Sequence, residues 1–382
     1  MSTTPPPVNT PEPAPDPATV APSGSPRPRL ATALPALAAI GVILLLVALA
    51  FAWVGGWLTP QRLTPQRMID AIEANGPPAP GYRRAHTKGI CVFGKFDSNG
   101  NGAALSKARV FAQGTTPLLG RMSIGGGAPH GADNDARVRS MALQLIADDG
   151  QEWRMAMNSF PFFAVSSAQA FYEQTLASRP DPATGKPDPA RQAAFAASHP
   201  ESVKFGQWAK TAPWPTSFAN TDYNGVNTFR FVDAKGNSRY VRWSMRPQAP
   251  FAAMTLEQRK AASPDFLAQD LQSRLAEGPL RWDMVVTVAQ DGDSILDPSQ
   301  QWPAERSQIV VGTVVIERAQ AQATGPCRDL NFDPLILPAG VEGSDDPILA
   351  ARSAAYAVSF NRREREIGKG QAPDAEGKGA KP

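Results

Sequence analysis

The apolar and polar positions divide the chain into a polar N-terminal stretch, one long apolar run and a patterned remainder. Residues 1–29 are rich in proline and nearly free of large apolar side chains, a composition that predicts a disordered tail. Residues 30–58 carry no charge and are long enough to cross a hydrocarbon core of about 30 Å as a helix. We therefore expect a transmembrane signal anchor over 30–58.

A cleaved signal peptide is the alternative interpretation of this run. The long preceding tail argues against it, as does an apolar stretch well beyond the about 7–15 residues of a signal peptide. Arginines flank the helix on both sides, so the positive-inside rule hardly decides its orientation. We expect a single-pass inner-membrane protein with the residues after 60 outside the cytoplasm.

The remainder of the chain alternates between short apolar runs of strand character and amphipathic helices. Eight strands are predicted, over 89–96, 110–112, 121–124, 140–147, 226–232, 240–245, 282–289 and 309–317. Helices are predicted after Thr64-Pro65 and over 166–177, 187–197, 264–276 and 346–366. Two runs of four strands, separated by helices, favour an α+β fold over 60–368 built on an eight-stranded antiparallel barrel with helical insertions. Residues 369–382 are expected to form a second disordered tail.

Charge and cysteine content exclude some classes and leave others open. The chain has 38 Lys and Arg against 35 Asp and Glu, a net charge of +3, which does not favour nucleic acid as a partner. Cys91 and Cys327 fit no metal-binding spacing. They could pair in an oxidising compartment or remain as two free thiols, and the sequence does not choose between these alternatives.

The candidate chemistry begins in the last predicted helix, where Arg352 precedes Tyr356 by four residues. Side chains four apart share a helix face, so the guanidinium of Arg352 can lie against the phenol of Tyr356. A nearby positive charge favours the phenolate, which makes Tyr356 a candidate ligand for ferric iron. Arg363 lies two turns further along the same face. His86 stands just before the first predicted strand, where its side chain can point into the mouth of a barrel.

Six segments carry a resemblance to the haem catalase superfamily, and specifically to its short catalase-related peroxidases. They follow the family order across about residues 63–366: RRAHTKG with FGKF, TPLLGRMSI, NSFPFF with Phe171, the hairpin segment 221–245, DPSQQWP, and LPAGVEGSD followed by Arg352, Tyr356 and Arg363. The chain departs from the family pattern at Ser159, Phe160 and Ala85.

The resemblance implies a role for each matching residue and haem b as the cofactor. His86 and Asn158 would be the catalytic residues, and Tyr356 the axial iron ligand. Arg83, Arg121 and Arg363 would hold the haem carboxylates, and Arg352 would keep Tyr356 ionised. Ser123 would orient His86, and the haem would be lined by Phe163 and Phe171.

The resemblance also implies a haem-dependent peroxidase that reduces hydrogen peroxide through an oxoferryl intermediate, with at most weak catalase activity. Organic peroxides are a second candidate substrate class. The electron donor would be a small organic or membrane-derived molecule. Two alternatives share the same motifs: an enzyme that rearranges fatty acid hydroperoxides, like the catalase-like allene oxide synthases, and a non-enzymatic haem-binding or sensing module.

Overall fold

The computed structural model describes residues 30–59 and 62–371, in two units that comprise Met1–Arg62 and Leu63–Pro382. The expected tail 1–29 and most of the expected tail 369–382 lie outside the described residues. Helix α1 (Leu30–Val54) makes up most of the described part of the first unit. By length and composition its Leu34–Val54 stretch could cross a membrane, a test that a signal sequence near the N-terminus also passes.

The second unit contains twelve strands within the described residues. They are β1 (Gly89–Ser98), β2 (Gly114–Ile124), β3 (Arg139–Ile146), β4 (Glu152–Asn158), β5 (Trp214–Pro215), β6 (Tyr223–Asn224), β7 (Phe229–Val232), β8 (Ser238–Pro247), β9 (Ala253–Met254), β10 (Leu280–Val288), β11 (Gln308–Ala321) and β12 (Val341–Gly343).

Eight of these strands close into an antiparallel barrel. The ring runs β10-β11-β1-β2-β3-β4-β6-β8, and pairing of β8 with β10 closes it. Strands β7 and β12 extend the sheet from β8, and β5 and β9 form a separate pair. The predicted eight-stranded barrel is therefore confirmed. Because the barrel is closed, each of the eight ring strands pairs with a ring strand on both sides.

Alternating side chains of the ring strands fill the barrel interior. On β3, Met141, Leu143 and Leu145 are fully buried, whereas the intervening Ala142 and Gln144 are only half-buried. Each fully buried side chain of this size stabilises the fold by about 1.5–3 kcal/mol. The interior also contains an aromatic group in which the rings of Trp153 and Trp243 meet edge to face at 5.2 Å. The barrel is thus a packed core, and the functional cavity has to lie elsewhere in the unit.

Seven helices accompany the barrel in the described part of the second unit. They are α2 (Pro65–Glu73), α3 (Ala168–Ala177), α4 (Pro189–Ser198), α5 (Glu201–Thr211), α6 (Leu256–Ala261), α7 (Phe266–Glu277) and α8 (Pro347–Gly368). Helix α2 begins after Thr64, whose hydroxyl accepts a hydrogen bond from the Arg67 amide, and has proline at its first position. Helix α8 begins in the same way, with Asp346 capping the Ile348 amide and Pro347 following.

One predicted element is absent, and two elements that bear on the site were not predicted. Residues 110–112 are not a strand, because Arg109–Phe111 form a 3-10 turn that buries the Phe111 ring against Gly102. The sequence analysis did not predict β4, which supplies Asn158 and completes the run of β1 to β4. It also did not predict α5, whose first residue follows directly after His199 and Pro200.

Candidate active site

All ten residues predicted from the sequence line a single cavity of about 510 Å³. They come from the loop before β1, from β2, from the end of β4 and the segment after it, and from α3 and α8. These residues are Arg83, His86, Arg121, Ser123, Asn158, Phe163, Phe171, Arg352, Tyr356 and Arg363. The structure therefore brings the predicted set together around one cavity.

His86 is held in an uncommon backbone conformation at the edge of this cavity. Its φ of +53° lies in the left-handed region, which costs a non-glycine residue of order 1–3 kcal/mol. Thr87 secures the loop, because its amide donates to Gly126 O at 3.1 Å and its hydroxyl donates to Arg83 O at 2.8 Å. Backbone strain of this kind persists where the surroundings fix one side-chain position, and here they direct the imidazole of His86 into the cavity.

A chain of three side chains determines which ring nitrogen of His86 carries the proton. The hydroxyl of Ser140 donates to Oδ1 of Asn158 at 2.6 Å, so it has no proton left for the imidazole. Its oxygen lies 3.0 Å from Nδ1 of His86 and must accept a hydrogen bond there. Nδ1 is therefore protonated, and Nε2 of the neutral ring keeps its lone pair. The amide group of Asn158 keeps both N–H donors for a ligand.

Burial keeps the imidazole of His86 neutral. Loss of water is the largest cause, and the positive charges of Arg121 and Arg352 add to it, so the pKa falls to about 4. His86 retains some accessible surface only because it faces the cavity. The geometry thus supplies an unprotonated base at neutral pH, next to an amide that can donate hydrogen bonds.

The residue that contacts His86 differs from the one predicted. Ser123 was expected to orient His86, but the hydroxyl within hydrogen-bonding distance of the ring is that of Ser140 on β3. The two serines are direct register partners across β2 and β3, so they occupy adjacent places in the cavity wall. Ser140 is also the register partner of Asn158 on β4, which explains why one hydroxyl reaches both side chains.

Three guanidinium groups form a positive cluster around the cavity, contributed by Arg83, Arg121 and Arg363. Burial is the main cause that lowers the pKa of all three, and Arg363 contributes further to lowering the pKa of Arg83 and of Arg121, the latter to about 9. Two carboxylates act on these guanidinium groups. Asp329 is engaged in a bidentate pair with Arg328, and the exposed carboxylate of Glu364 lies 3.6 Å from Nε of Arg363. A cluster of like charges with little local compensation is a strong site for an anion.

Arg121 and Arg363 show how the chain makes room for this cluster. Arg121 donates to the backbone oxygens of His86 and Thr87 at 2.7 and 3.0 Å. A side chain at Gly89 would lie 2.5 Å from the Arg121 guanidinium, so glycine is required there. Arg363 is 2% exposed, donates to Asp329 O at 3.2 Å, and leaves its buried Nε without a hydrogen-bond partner.

Arg352 makes contacts other than the predicted one with Tyr356. Its guanidinium donates to the side-chain oxygen of Asn227 and, at 2.8 Å, to the backbone oxygen of Ala156. Asn227 in turn donates to Asp346 at 2.7 Å, and burial raises the pKa of that carboxyl. The side chain of Asn227 is delivered by a tight turn at Val226, which has a φ of +53°. The helical spacing thus places Arg352 and Tyr356 in the wall of one cavity. The hydrogen bonds of Arg352, however, are made to Asn227 and to Ala156 of β4.

Aromatic side chains complete the cavity wall. Phe163 and Phe171, both predicted, lie with ring centroids 5.5 Å apart. Phe160 meets Phe163 edge to face at 6.1 Å and Phe205 at 5.4 Å. Phe205 belongs to α5, so the sequence analysis missed both the helix and its contribution to the cavity. The wall is aromatic and apolar on this side, which suits an aromatic ligand.

The family model described as Catalase matches residues 78–366, which is most of the chain and includes every residue predicted for the site. The chain belongs to the catalase family. It is 36% identical over 329 residues to the catalase-related peroxidase of Synechococcus elongatus, covering 86% of this chain and 96% of that protein. It is 34% identical over 313 residues to the catalase-related peroxidase of Mycolicibacterium paratuberculosis, covering 81% and 98%.

Solved catalases share the fold at lower identity. A bacterial catalase superposes with a TM-score of 0.66 at 23% identity, covering 74% of this chain and 57% of its own. Catalase A from Saccharomyces cerevisiae gives a TM-score of 0.68 at 20% identity, with 74% and 61% covered. The chain therefore spans about three fifths of the length of these two catalases and shares the barrel with them.

The residues around the cavity fit haem, the cofactor that membership of the catalase family implies. Haem presents a flat apolar ring with two carboxylates, and the cavity presents aromatic walls beside the arginine cluster. Nε of Arg363 makes no hydrogen bond, because its nearest carboxylate, Glu364 Oε1, lies 3.6 Å away, so it remains a buried donor for such a carboxylate. Tyr356 lines the same cavity with its phenol and packs beside Phe332. No residue in the described wall contradicts this assignment.

Two polar residues that contact the side chains of this site were not predicted. Ser140 and Asn227 lie 54 and 125 positions from the side chains they contact, so no local spacing indicated them. For Ser140, the strand prediction over 140–147 was a usable signal, because it places that residue at the strand's start beside the loop of His86. For Asn227 the signal was its position at the head of the predicted hairpin.

Proposed function

We propose that the chain is a haem b-dependent peroxidase that reduces hydrogen peroxide, with at most weak catalase activity. The observation that carries this proposal is the His86–Ser140–Asn158 chain, which presents a free base and a free amide donor to a cavity suited to haem. Membership of the catalase family makes the chain a peroxide-acting oxidoreductase. Its similarity to two catalase-related peroxidases over most of their length supports the narrower assignment.

In this proposal, His86 transfers a proton and Asn158 holds the peroxide. Nε2 of His86 takes a proton from the peroxide oxygen that binds the cofactor and returns it to the departing oxygen, which leaves as water. Asn158 donates a hydrogen bond that holds peroxide beside His86 without adding a charge or a competing base. When bound, haem would supply the iron at which the O–O bond breaks and would store the two oxidising equivalents of the peroxide until an electron donor reduces them.

The remaining residues hold the cofactor. Arg83, Arg121 and Arg363 would bind its carboxylates through charge-assisted hydrogen bonds. Tyr356 would be the axial ligand of the iron, with the charge of Arg352 favouring its ionised form. Phe163 and Phe171 would pack against the ring. A small organic or membrane-derived molecule would serve as electron donor.

The location proposed for this domain is the extracytoplasmic side of the inner membrane, with residues 30–58 as a single-pass anchor. The length and apolar composition of α1 support the anchor. The disulfide between Cys91 and Cys327 supports an oxidising compartment, since such bonds are rare in the cytosol. Protease added to intact spheroplasts should digest the domain while leaving a cytosolic marker protein whole. Protection equal to that of the cytosolic marker would reject this orientation.

The experiment that tests the function compares two histidine variants of the haem-loaded protein. His86→Ala should lower the second-order rate constant for hydrogen peroxide by about 100-fold or more, because it removes the general base. His130→Ala, in an exposed loop, is the matched control and should keep the rate. An unchanged rate in His86→Ala, with haem bound, would reject His86 as the general base. Haem-loaded wild type that does not react with hydrogen peroxide would reject the peroxidase and leave a haem-binding module.

A further inference from the structure

A disulfide joins strand β1 to a segment that holds the arginine cluster. Cys91 on β1 and Cys327 are bonded across a sequence separation of 236 residues, and both are fully buried. Cys327 lies in residues 322–332, which we call the clip segment and which follow the end of β11. The sequence alone left the pairing open, and the structure resolves it in favour of the bond.

The clip segment contacts each of the three arginines through its own oxygen atoms. The side-chain oxygen of Gln322 accepts from Arg121 Nε at 2.5 Å. The backbone oxygens of Cys327 and Leu330 accept from Arg83 at 2.8 and 2.5 Å. The backbone oxygen of Asp329 accepts from Arg363 at 3.2 Å. One stretch of eleven residues therefore orients the whole positive cluster.

The same segment contributes to the wall beside Tyr356. Phe332 forms a buried cluster with the two cysteines, and Tyr356 packs against that cluster. Asn331 and Phe332 line the cavity directly. A side chain at Gly325 would lie 2.5 Å from the sulfur of Cys91, so the segment lies closely over the disulfide. The bond thus joins β1 to the residues that form the cavity wall beside Tyr356.

We propose that the Cys91–Cys327 disulfide holds the cofactor site in its binding geometry, and that reduction of this disulfide weakens cofactor retention. This inference rests on the proposed haem function. A dithiol reductant breaks the one S–S bond, gives two thiols in this chain and is itself oxidised to a disulfide. The clip segment then loses its covalent link to β1 and is held only by its hydrogen bonds and by the packing of Phe332. Its oxygens fix the three guanidinium groups less firmly, and haem dissociates faster. The domain retains its cofactor best in an oxidising compartment.

General stability has to be separated from this local effect, because any disulfide also stabilises the fold by restricting the unfolded chain. The variants are therefore the double variant Cys91→Ser with Cys327→Ser, and Leu271→Ala as control. Leu271 is a fully buried core residue of α7 outside the cavity, so its truncation lowers stability without touching the clip segment. Gln322→Leu removes one contact of the clip segment and leaves the disulfide intact.

The measurement is the rate at which haem passes from each full-length protein to an excess of apomyoglobin, followed in the Soret band. The double variant, and wild type treated with a dithiol reductant, should lose haem about tenfold faster than oxidised wild type. Gln322→Leu should show a smaller acceleration in the same direction. The ferric spectrum should also change on reduction of the disulfide, a readout that a purely structural bond would leave constant.

Two results would contradict this role of the disulfide in haem retention. One is an identical haem-loss rate in the oxidised wild type and in the double variant. The other is an acceleration in Leu271→Ala as large as that in the double variant at equal loss of unfolding temperature. An oxidised wild type that takes up no haem would instead reject the proposed function and this inference with it, so the two failures are distinguishable.

Discussion

The two halves of the cavity are built on opposite principles. The half that contains His86, Ser140 and Asn158 is neutral, and its internal hydrogen bonds are complete without any ligand. The half that contains Arg83, Arg121 and Arg363 is positive, and one of its buried donors, Nε of Arg363, makes no hydrogen bond. The first half is preorganised for proton transfer, whereas the second is completed by an anionic ligand. Binding of the cofactor and its chemistry should therefore respond to different substitutions.

The largest effect on the binding half is expected from Arg363→Leu. Loss of a charge-assisted contact should weaken haem binding by about 10- to 100-fold. The haem-free protein should keep or raise its unfolding temperature, because the variant removes a buried and incompletely paired charge. Haem titration and thermal unfolding measure the two effects, and exposed Arg365→Leu is the control. A large loss of stability with unchanged haem affinity would make Arg363 a structural residue.

A smaller effect, confined to the chemical half, is expected from Ser140→Ala. The variant removes the acceptor that fixes the tautomer of His86, which should lower the peroxide rate constant about tenfold while haem affinity stays constant. Ser123→Ala is the matched control, because Ser123 is the register partner of Ser140 and makes no hydrogen bond to His86 within the described residues. If Ser123→Ala proved the more damaging of the two in stopped-flow assays, the assignment of Ser140 would be wrong.

The smallest effect is expected from acidification. With a pKa of about 4, about 90% of His86 is neutral at pH 5, whereas a histidine of ordinary pKa near 6.5 would be about 3% neutral. The peroxide rate constant should therefore change by less than about twofold between pH 8 and 5. A decline with a midpoint near pH 6.5 would contradict the lowered pKa.

The sign of the matching stability effect follows from proton binding. Because the folded-state pKa of His86 is below its unfolded value, the unfolded chain takes up the proton first. The contribution of a neutral His86 to stability is complete above about pH 6.5 and declines as the pH falls towards 4. Chemical unfolding of wild type and His86→Gln across this range should isolate that contribution.

The barrel was more predictable from the sequence than its individual strands. Eight strands were expected and eight form the ring, but two of the eight differ. Residues 110–112 are a turn, and β7 lies outside the ring. Their places are taken by β4 and β6, which were not predicted. In β4, buried Trp153, Met155 and Met157 recur at every second position, separated by Arg154 and the small Ala156, so the period-2 signal of a strand was present. Residues 110–112 misled because an apolar triplet has no periodicity that separates a strand from a buried turn.

The site was predictable where its residues lie in continuous motifs and not where distant segments meet. His86, Asn158 and Tyr356 were each recognised from their immediate neighbours and now line one cavity. The contacts that orient them join residues far apart in the chain, as in the pairs Arg352–Asn227 and Cys91–Cys327. Only the closed barrel sets those distances, so no spacing in the sequence reports them.

The most direct test of the account is the ferric absorption spectrum of the purified protein supplied with haem, measured for wild type and Tyr356→Phe. The account predicts a high-spin ferric spectrum in wild type that dithionite does not reduce, and a lost or altered spectrum in the variant. Phenylalanine keeps the ring and removes only the ligating oxygen. A folded wild-type domain that takes up no haem, or a spectrum identical in Tyr356→Phe, would contradict the assignment of Tyr356 and with it the proposed function.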